Sequence, residues 1–247
     1  MLLPDKNAVI YGAGGGIGGA MARAFAAEGA KVFLTGRTRE KLDALAAEIG
    51  DAAEVATFDA TDKQAVDEHA DAVAAQGGLH VSVNVIAHPT KHGTPMVDMD
   101  VDEFFQPIQQ AVRSNFLTTA AAARHMKGQG GGVILFFGGH GDPMREYYLG
   151  GTQVAFEALE SMRRQLSAEL GRDGIRAVTL RSGGVPDSVP TDFDGRDAIV
   201  EGIVAETMLG RAATYEDVGN AAVFAASDKG RMMTAATVNV SCGALVD

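Results

Sequence analysis

Gly12, Gly14, Gly16 and Gly18 recur at alternate positions in the run Tyr11-Gly12-Ala13-Gly14-Gly15-Gly16-Ile17-Gly18-Gly19. Glycines let a backbone turn through positive φ and pass close to a ligand. Where such a turn opens a helix, the free N–H groups of the first helical turn and the helix dipole attract a phosphate. The flanks supply that setting: the apolar run Ala8-Val9-Ile10 precedes the glycines and the alanine-rich run from Ala20 to Ala27 follows them. A glycine-rich surface turn would use the same letters, but a strand before and a helix after favour nucleotide binding. The expected contacts are Gly12, Gly14, Gly16, Ile17 and Gly18.

Positioning such a turn requires a sheet, and the chain supplies one. Strand-like runs fall at 8–11, 31–35, 54–58, 81–86, 132–137, 175–180 and 237–240. Helical runs fall between them, at 16–28, 39–49, 62–75, 100–126, 147–170, 197–208 and 215–226. Pro107 inside the fourth predicts a kink or a late start. Several strands are continuous apolar runs, as parallel strands buried on both faces are. No repeat or compositional break divides residues 1–247, so the sequence predicts one α/β domain, doubly wound, with right-handed crossovers and helices on both faces. Ligands on such sheets bind beyond the carboxyl ends of the strands.

Composition narrows the partners. The 247 residues carry 21 Lys and Arg against 32 Asp and Glu, a net charge of −11. That balance argues against nucleic acid and anionic membrane as partners. The one cysteine, Cys242, forms no internal disulfide and no cysteine-based metal site. The opening residues turn polar too soon for a signal peptide, and no apolar run approaches a membrane span, so a soluble cytoplasmic protein is expected.

With the glycine turn and later motifs in view, the chain resembles the short-chain dehydrogenase/reductase family over nearly its whole length. Gly12, Gly16 and Gly18 match that family's Thr-Gly-x-x-x-Gly-x-Gly turn, with Tyr11 in place of the threonine. Asp59 matches the acidic residue that reads the adenine amino group, and Asn84 is retained from the Val-Asn-Asn-Ala-Gly motif. Leu209-Gly210-Arg211, Asp217-Val218, Phe224 to Asp228 and Val238-Asn239-Val240 resemble the family's tail. The resemblance implies a Rossmann-type, mostly seven-stranded parallel sheet, a nicotinamide cofactor, a small-molecule substrate, no metal, and assembly as a homotetramer or homodimer. It also implies that the backbone of Val185 holds the nicotinamide amide, and that a substrate lid covers residues around 183–210.

The end of the second strand bears on which nicotinamide cofactor binds. A carboxylate there would bond the ribose hydroxyls of NAD(H) and repel a 2′-phosphate. This chain has Gly36 at that position, followed by Arg37. Glycine removes the repulsion and a guanidinium matches a phosphate with paired donors, so the pattern favours NADP(H) over NAD(H). The competing view makes Arg37 and Arg39 a solvated helix start.

The family's catalytic residues are where the pattern breaks. Alignment to neighbouring landmarks puts Gly139 at the serine position, Leu149 at the tyrosine, Gln153 at the lysine and Ala111 at the asparagine. Gln153 retains the ability to hydrogen-bond the ribose. Tyr148 is the foremost substitute proton donor, and Tyr147 lies beside it. Asn115, one helical turn after Ala111, shares its face. His140, Asp142, Arg145, Glu146, His88 and His92 fall in loops near the expected mouth. A positioned general acid contributes roughly 10²–10⁴ in rate, about 3–5 kcal/mol of barrier. The sequence therefore supports two functions. One is an atypical NADP(H) oxidoreductase acting on a small carbonyl, imine or activated alkene. The other is a divergent protein of the same fold, a pseudoenzyme, sensor, cyclase or isomerase without net redox.

Overall fold

The computed structural model describes residues 1–91, 93–138 and 148–246. Seven strands form one sheet in the order β3-β2-β1-β4-β5-β6-β7. They are β1 (Asn7–Tyr11), β2 (Lys31–Gly36), β3 (Ala53–Thr57), β4 (Val81–Asn84), β5 (Gly132–Gly138), β6 (Ile175–Arg181) and β7 (Ala236–Asn239). Every neighbouring pair is parallel. The order reverses at β1, which pairs with β2 on one side and β4 on the other, so the sheet has its switch point there.

The helices are α1 (Gly16–Ala27), α2 (Arg39–Ile49), α3 (Lys63–Ala74), α4 (Val101–Gly128), α5 (Gly151–Leu170), α6 (Arg196–Ala205) and α7 (Tyr215–Ala226). Alternation along β1 shows how the core is divided. Ala8 and Ile10 join Met21, Phe25, Leu42 and Val218 on the α1, α2 and α7 side. Val9 and Tyr11 join Val66, Ala121, Met126 and Leu159 on the α3, α4 and α5 side. Two faces, each covered by helices, account for strands that read as unbroken apolar runs.

Three of the departures from the sequence expectation have a local reason. β4 stops at Asn84 instead of Ile86, because the Asn84 side-chain oxygen takes the Ile86 amide at 3.2 Å and turns the chain out of the ladder. α5 begins at Gly151 and not near residue 147, since Tyr148 at φ 47° and Gly150 at φ 52° lie in the left-handed region. α4 runs unbroken from Val101 with Pro107 buried inside it, so the proline does not delay its start. Asp100 secures that start by accepting from the Asp102 amide at 2.8 Å.

Close helix packing sets the end of the sheet where a ligand would bind. A Cβ on Gly151 would lie 1.9 Å from the Phe104 carbonyl oxygen, so only glycine lets α5 start against the backbone of α4.

Candidate functional site

The glycine turn joins β1 to α1 beyond the carboxyl end of the central strand. The Thr35 carbonyl takes the Gly12 and Ala13 amides, each at 3.0 Å, and Gly15 bonds back to Gly12 at 3.1 Å. Gly12 has φ 91°, and a Cβ there would meet the Val85 carbonyl oxygen at 2.7 Å. A Cβ on Gly18 would fall 2.4 Å from the Gly12 carbonyl oxygen. The turn is thus closed from both sides by backbone. The cap residue Gly15 offers no side chain, and no acidic residue occupies the first turn of α1. The first amides of α1, at Gly16, Ile17 and Gly18, have no intrahelical acceptor by helix geometry and suit an anion.

A cleft of about 260 Å³ opens beside this turn, floored by Gly12 and Gly14. That is below the roughly 300–1,000 Å³ of a complete small-molecule pocket, so it takes one end of a larger ligand. Arg37, Thr38 and Lys41 form its cationic side. Among the described residues Arg37 makes no ion pair, whereas Arg39 is tied to Asp43 at 2.8 Å. The two arginines of the helix start therefore differ: Arg37 lines the cleft and Arg39 lies along α2. Lys41, in the first turn of α2, lines the cleft with Arg37 and was missed from sequence; its closeness to Arg37 in the chain was the available signal. Thr38 is the N-cap of α2 with its side chain unused in capping, so a second helix start faces the same space.

Asp59 and Thr61 also line the cleft. The Thr61 amide and hydroxyl both donate to Asp59 Oδ1 at 2.8 Å. These bonds, with a smaller contribution from Arg37, hold the Asp59 carboxyl below its ordinary range, leaving it an ionised acceptor. Val85, Ile86 and Ala87 make the third wall. Asn84 does not line the cleft. It is buried, its Nδ2 donates to Thr118 Oγ1 at 3.2 Å, and it clips the end of β4 to α4. Tyr11 is fully buried beneath Phe58, with the rings 6.3 Å apart edge to face. Its hydroxyl has no hydrogen-bond partner among the described residues.

The expected reaction end is less polar. Ala111 is fully buried, and Asn115, also buried, donates its side-chain amide to the Ala111 carbonyl at 3.0 Å. Leu149 precedes α5, half-buried, and Gln153 lies in its first turn. Tyr148 is exposed. Thr152, not singled out from sequence, is buried with its hydroxyl 2.9 Å from that of Thr90, tying α5 to the chain after β4. Burial lowers His88 to about 4, so its ring is neutral at neutral pH. Val185 is buried after β6, and its carbonyl accepts from the Ser188 hydroxyl at 2.7 Å. Gly139, His140, Asp142, Arg145, Glu146, Tyr147 and His92 lie outside the described residues. Among the described residues no cluster of three or more His, Cys, Asp or Glu could hold a metal ion, and no helix is long and apolar enough to cross a membrane.

Comparison with known proteins adds names to this geometry. The family profile described as Enoyl-(Acyl carrier protein) reductase matches residues 12–244. A 3-alpha-(or 20-beta)-hydroxysteroid dehydrogenase of Mycobacterium tuberculosis is 32% identical over 245 residues, 98% of this chain and 90% of that protein. A 7alpha-hydroxysteroid dehydrogenase of Clostridium sardiniense is 27% identical over 252 residues, covering 98% and 94%. Among solved structures, a short-chain type dehydrogenase/reductase from Mycobacterium ulcerans superposes with a TM-score of 0.88 at 26% identity, over 99% of this chain and 91% of that one.

Proposed function

This chain belongs to the short-chain dehydrogenase/reductase family, and we propose that it is an NADP(H)-dependent oxidoreductase acting on a small, mostly apolar carbonyl, imine or activated alkene. Oxidoreductases of this family use nicotinamide cofactors. The observation that carries the choice of NADP(H) is the charge in the cleft: Arg37 and Lys41 line one side, and Gly36 beside them bears no carboxylate. Two cations and the start of α2 favour a 2′-phosphate.

The residues present fit a dinucleotide. The amides of Gly16, Ile17 and Gly18 would hold the diphosphate, and Asp59 would accept from the adenine amino group. Val85 to Ala87 would wall the ribose, and Gln153 would hydrogen-bond at the far end. The nicotinamide, when bound, supplies or takes up the hydride. Tyr148 is our assigned proton donor; its exposure lets it exchange with water. Phe193 and Ile199 on the lid segment, and Met96 and Val97 in the chain after β4, expose apolar side chains beyond carboxyl ends of strands, which favours an apolar substrate. The hydroxysteroid names of two relatives are in keeping with that class. Exposed Phe105 and Phe116 on α4 and Val154 on α5 would be covered by assembly into a homodimer or homotetramer, which light scattering would read.

Leu149, Gln153 and Ala111 carry no ionisable group, and this favours a second reading in which nucleotide or substrate binds without net redox. Fluorescence titration with NADPH and NADH, followed by a panel of ketones, imines and enones monitored at the nicotinamide absorbance, separates the two. Tight NADPH binding with oxidation by at least one substrate supports the first reading. Binding with no oxidation across the panel supports the second. A Tyr148→Phe variant with full activity would remove Tyr148 as donor.

A further inference from the structure

Gly16 faces a residue that the sequence did not mark. The phenol oxygen of Tyr215 lies 2.0 Å from the point a Cβ on Gly16 would occupy, and ring atoms Cζ and Cε2 lie 2.2 and 2.7 Å from it. A side chain at this position would have to displace the tyrosine ring.

The ring is held there from three directions. Tyr215 is the first residue of α7, whose start is fixed by a capping box between Thr214 and Asp217. α7 packs closely on α1, where a Cβ on Gly219 would lie 3.0 Å from that of Ala24. The Tyr215 amide donates to Asp187 Oδ2 at 2.7 Å, and Asp187 sits in the short 3-10 turn that follows Val185. Among the described residues the Tyr215 hydroxyl has no hydrogen-bond partner, and the phenol is half-buried. Burial, and secondly the Asp187 charge, raise its pKa, so the hydroxyl keeps its proton at neutral pH. A neutral donor thus stands against the first turn of α1, beside amides that also lack acceptors. Asp187 would repel a nearby anion, but its bond to the Tyr215 amide and the start of α7 temper that charge.

We propose that Tyr215 is a ligand of the cofactor diphosphate, its hydroxyl donating to an oxygen of the group held on the amides around Gly16. The proposal rests on the dinucleotide reading of the cleft. Through Asp187 the same residue couples diphosphate binding to the loop that carries Val185.

Tyr215→Phe in the full chain keeps the ring and removes only the oxygen. Three probes are titrated: NADPH, NADH and 2′-AMP, which has adenine and the 2′-phosphate but no diphosphate. Affinity for NADPH and for NADH is expected to fall about tenfold, with 2′-AMP binding within twofold of the parent. Unchanged NADPH affinity, or an equal loss for 2′-AMP, would overturn the proposal. A parent protein that binds 2′-AMP but neither dinucleotide overturns the diphosphate ligand alone. One that binds none of the three overturns the dinucleotide reading with it. A second pair of variants tests the contact itself. Gly16→Ala should destabilise the chain when Tyr215 is present and much less in a Tyr215→Ala background; additive effects would show that the phenol does not lie over Gly16.

Discussion

A Cβ atom on Gly18 would stand 2.4 Å from the carbonyl oxygen of Gly12, closer than any real contact allows. The opposing atom is backbone, so nothing can swing aside. Gly18→Ala is expected to cost about 2 kcal/mol or more in stability and to abolish nucleotide binding. Gly14→Ala meets only side chains, Lys41 Cβ at 3.3 Å and Leu42 Cδ2 at 3.7 Å, and should fold with a loss below about 1 kcal/mol. Urea denaturation of the two variants, with NADPH titration, checks the contrast.

Cofactor preference should follow the cationic side of the cleft. Arg37→Ala and Lys41→Ala are each expected to weaken NADPH by about tenfold, with NADH changed by less than about twofold. At Gly36 a Cβ would meet Leu42 Cδ2 at 3.6 Å, an ordinary contact, so a longer side chain can be built there. Gly36→Asp should reverse the preference toward NADH. Paired Kd measurements decide it; an Arg37→Ala protein with an unchanged ratio would sink the assignment.

Tyr11 yields a prediction of the opposite sign. Its hydroxyl is buried with no partner among the described residues, and such a group costs its desolvation without return. Tyr11→Phe should leave the ring on Phe58 and raise stability by about 1 kcal/mol, visible as a higher urea midpoint. Destabilisation of similar size would mean that the hydroxyl is satisfied.

His69 packs its ring 5.1 Å from that of Phe58, and burial lowers its pKa to about 4, against a smaller raising effect of Glu54. The folded state holds the ring neutral, while the unfolded chain takes a proton near pH 6.5. Stability from this group is therefore complete above about pH 6.5 and is lost as the pH falls toward 4, by an amount on the order of 3 kcal/mol. His88 acts in the same direction over the same range. His69→Phe should flatten the fall in stability between pH 6.5 and 4.5. An unchanged slope would assign the effect elsewhere.

The glycine turn, the strands and most helices were legible because each rests on short-range pattern. Gly12 to Gly18 follow an apolar strand, and the helices at 39–49 and 215–226 have the bounds read from sequence. What escaped depends on distance or conformation. Nothing in the letters around Tyr215 says that its oxygen reaches Gly16, 199 positions away in the numbering. Lys41 is one of several charges on α2, and only the cleft sets it beside Arg37. The letters around Asn84 do not show that its side chain faces α4, where residue 118 supplies a partner. The late start of α5 reflects positive φ at Tyr148, which no propensity for that residue announces.

Gly12 leans on Val85, and β1 pairs with β4 only through residues 81–84. During synthesis on a ribosome, the phosphate cradle stays half-walled until the chain has grown past residue 85, although its own nine letters emerge almost at once. Nascent fragments ending before that point should hold either dinucleotide only weakly, however well the first βαβ unit has formed.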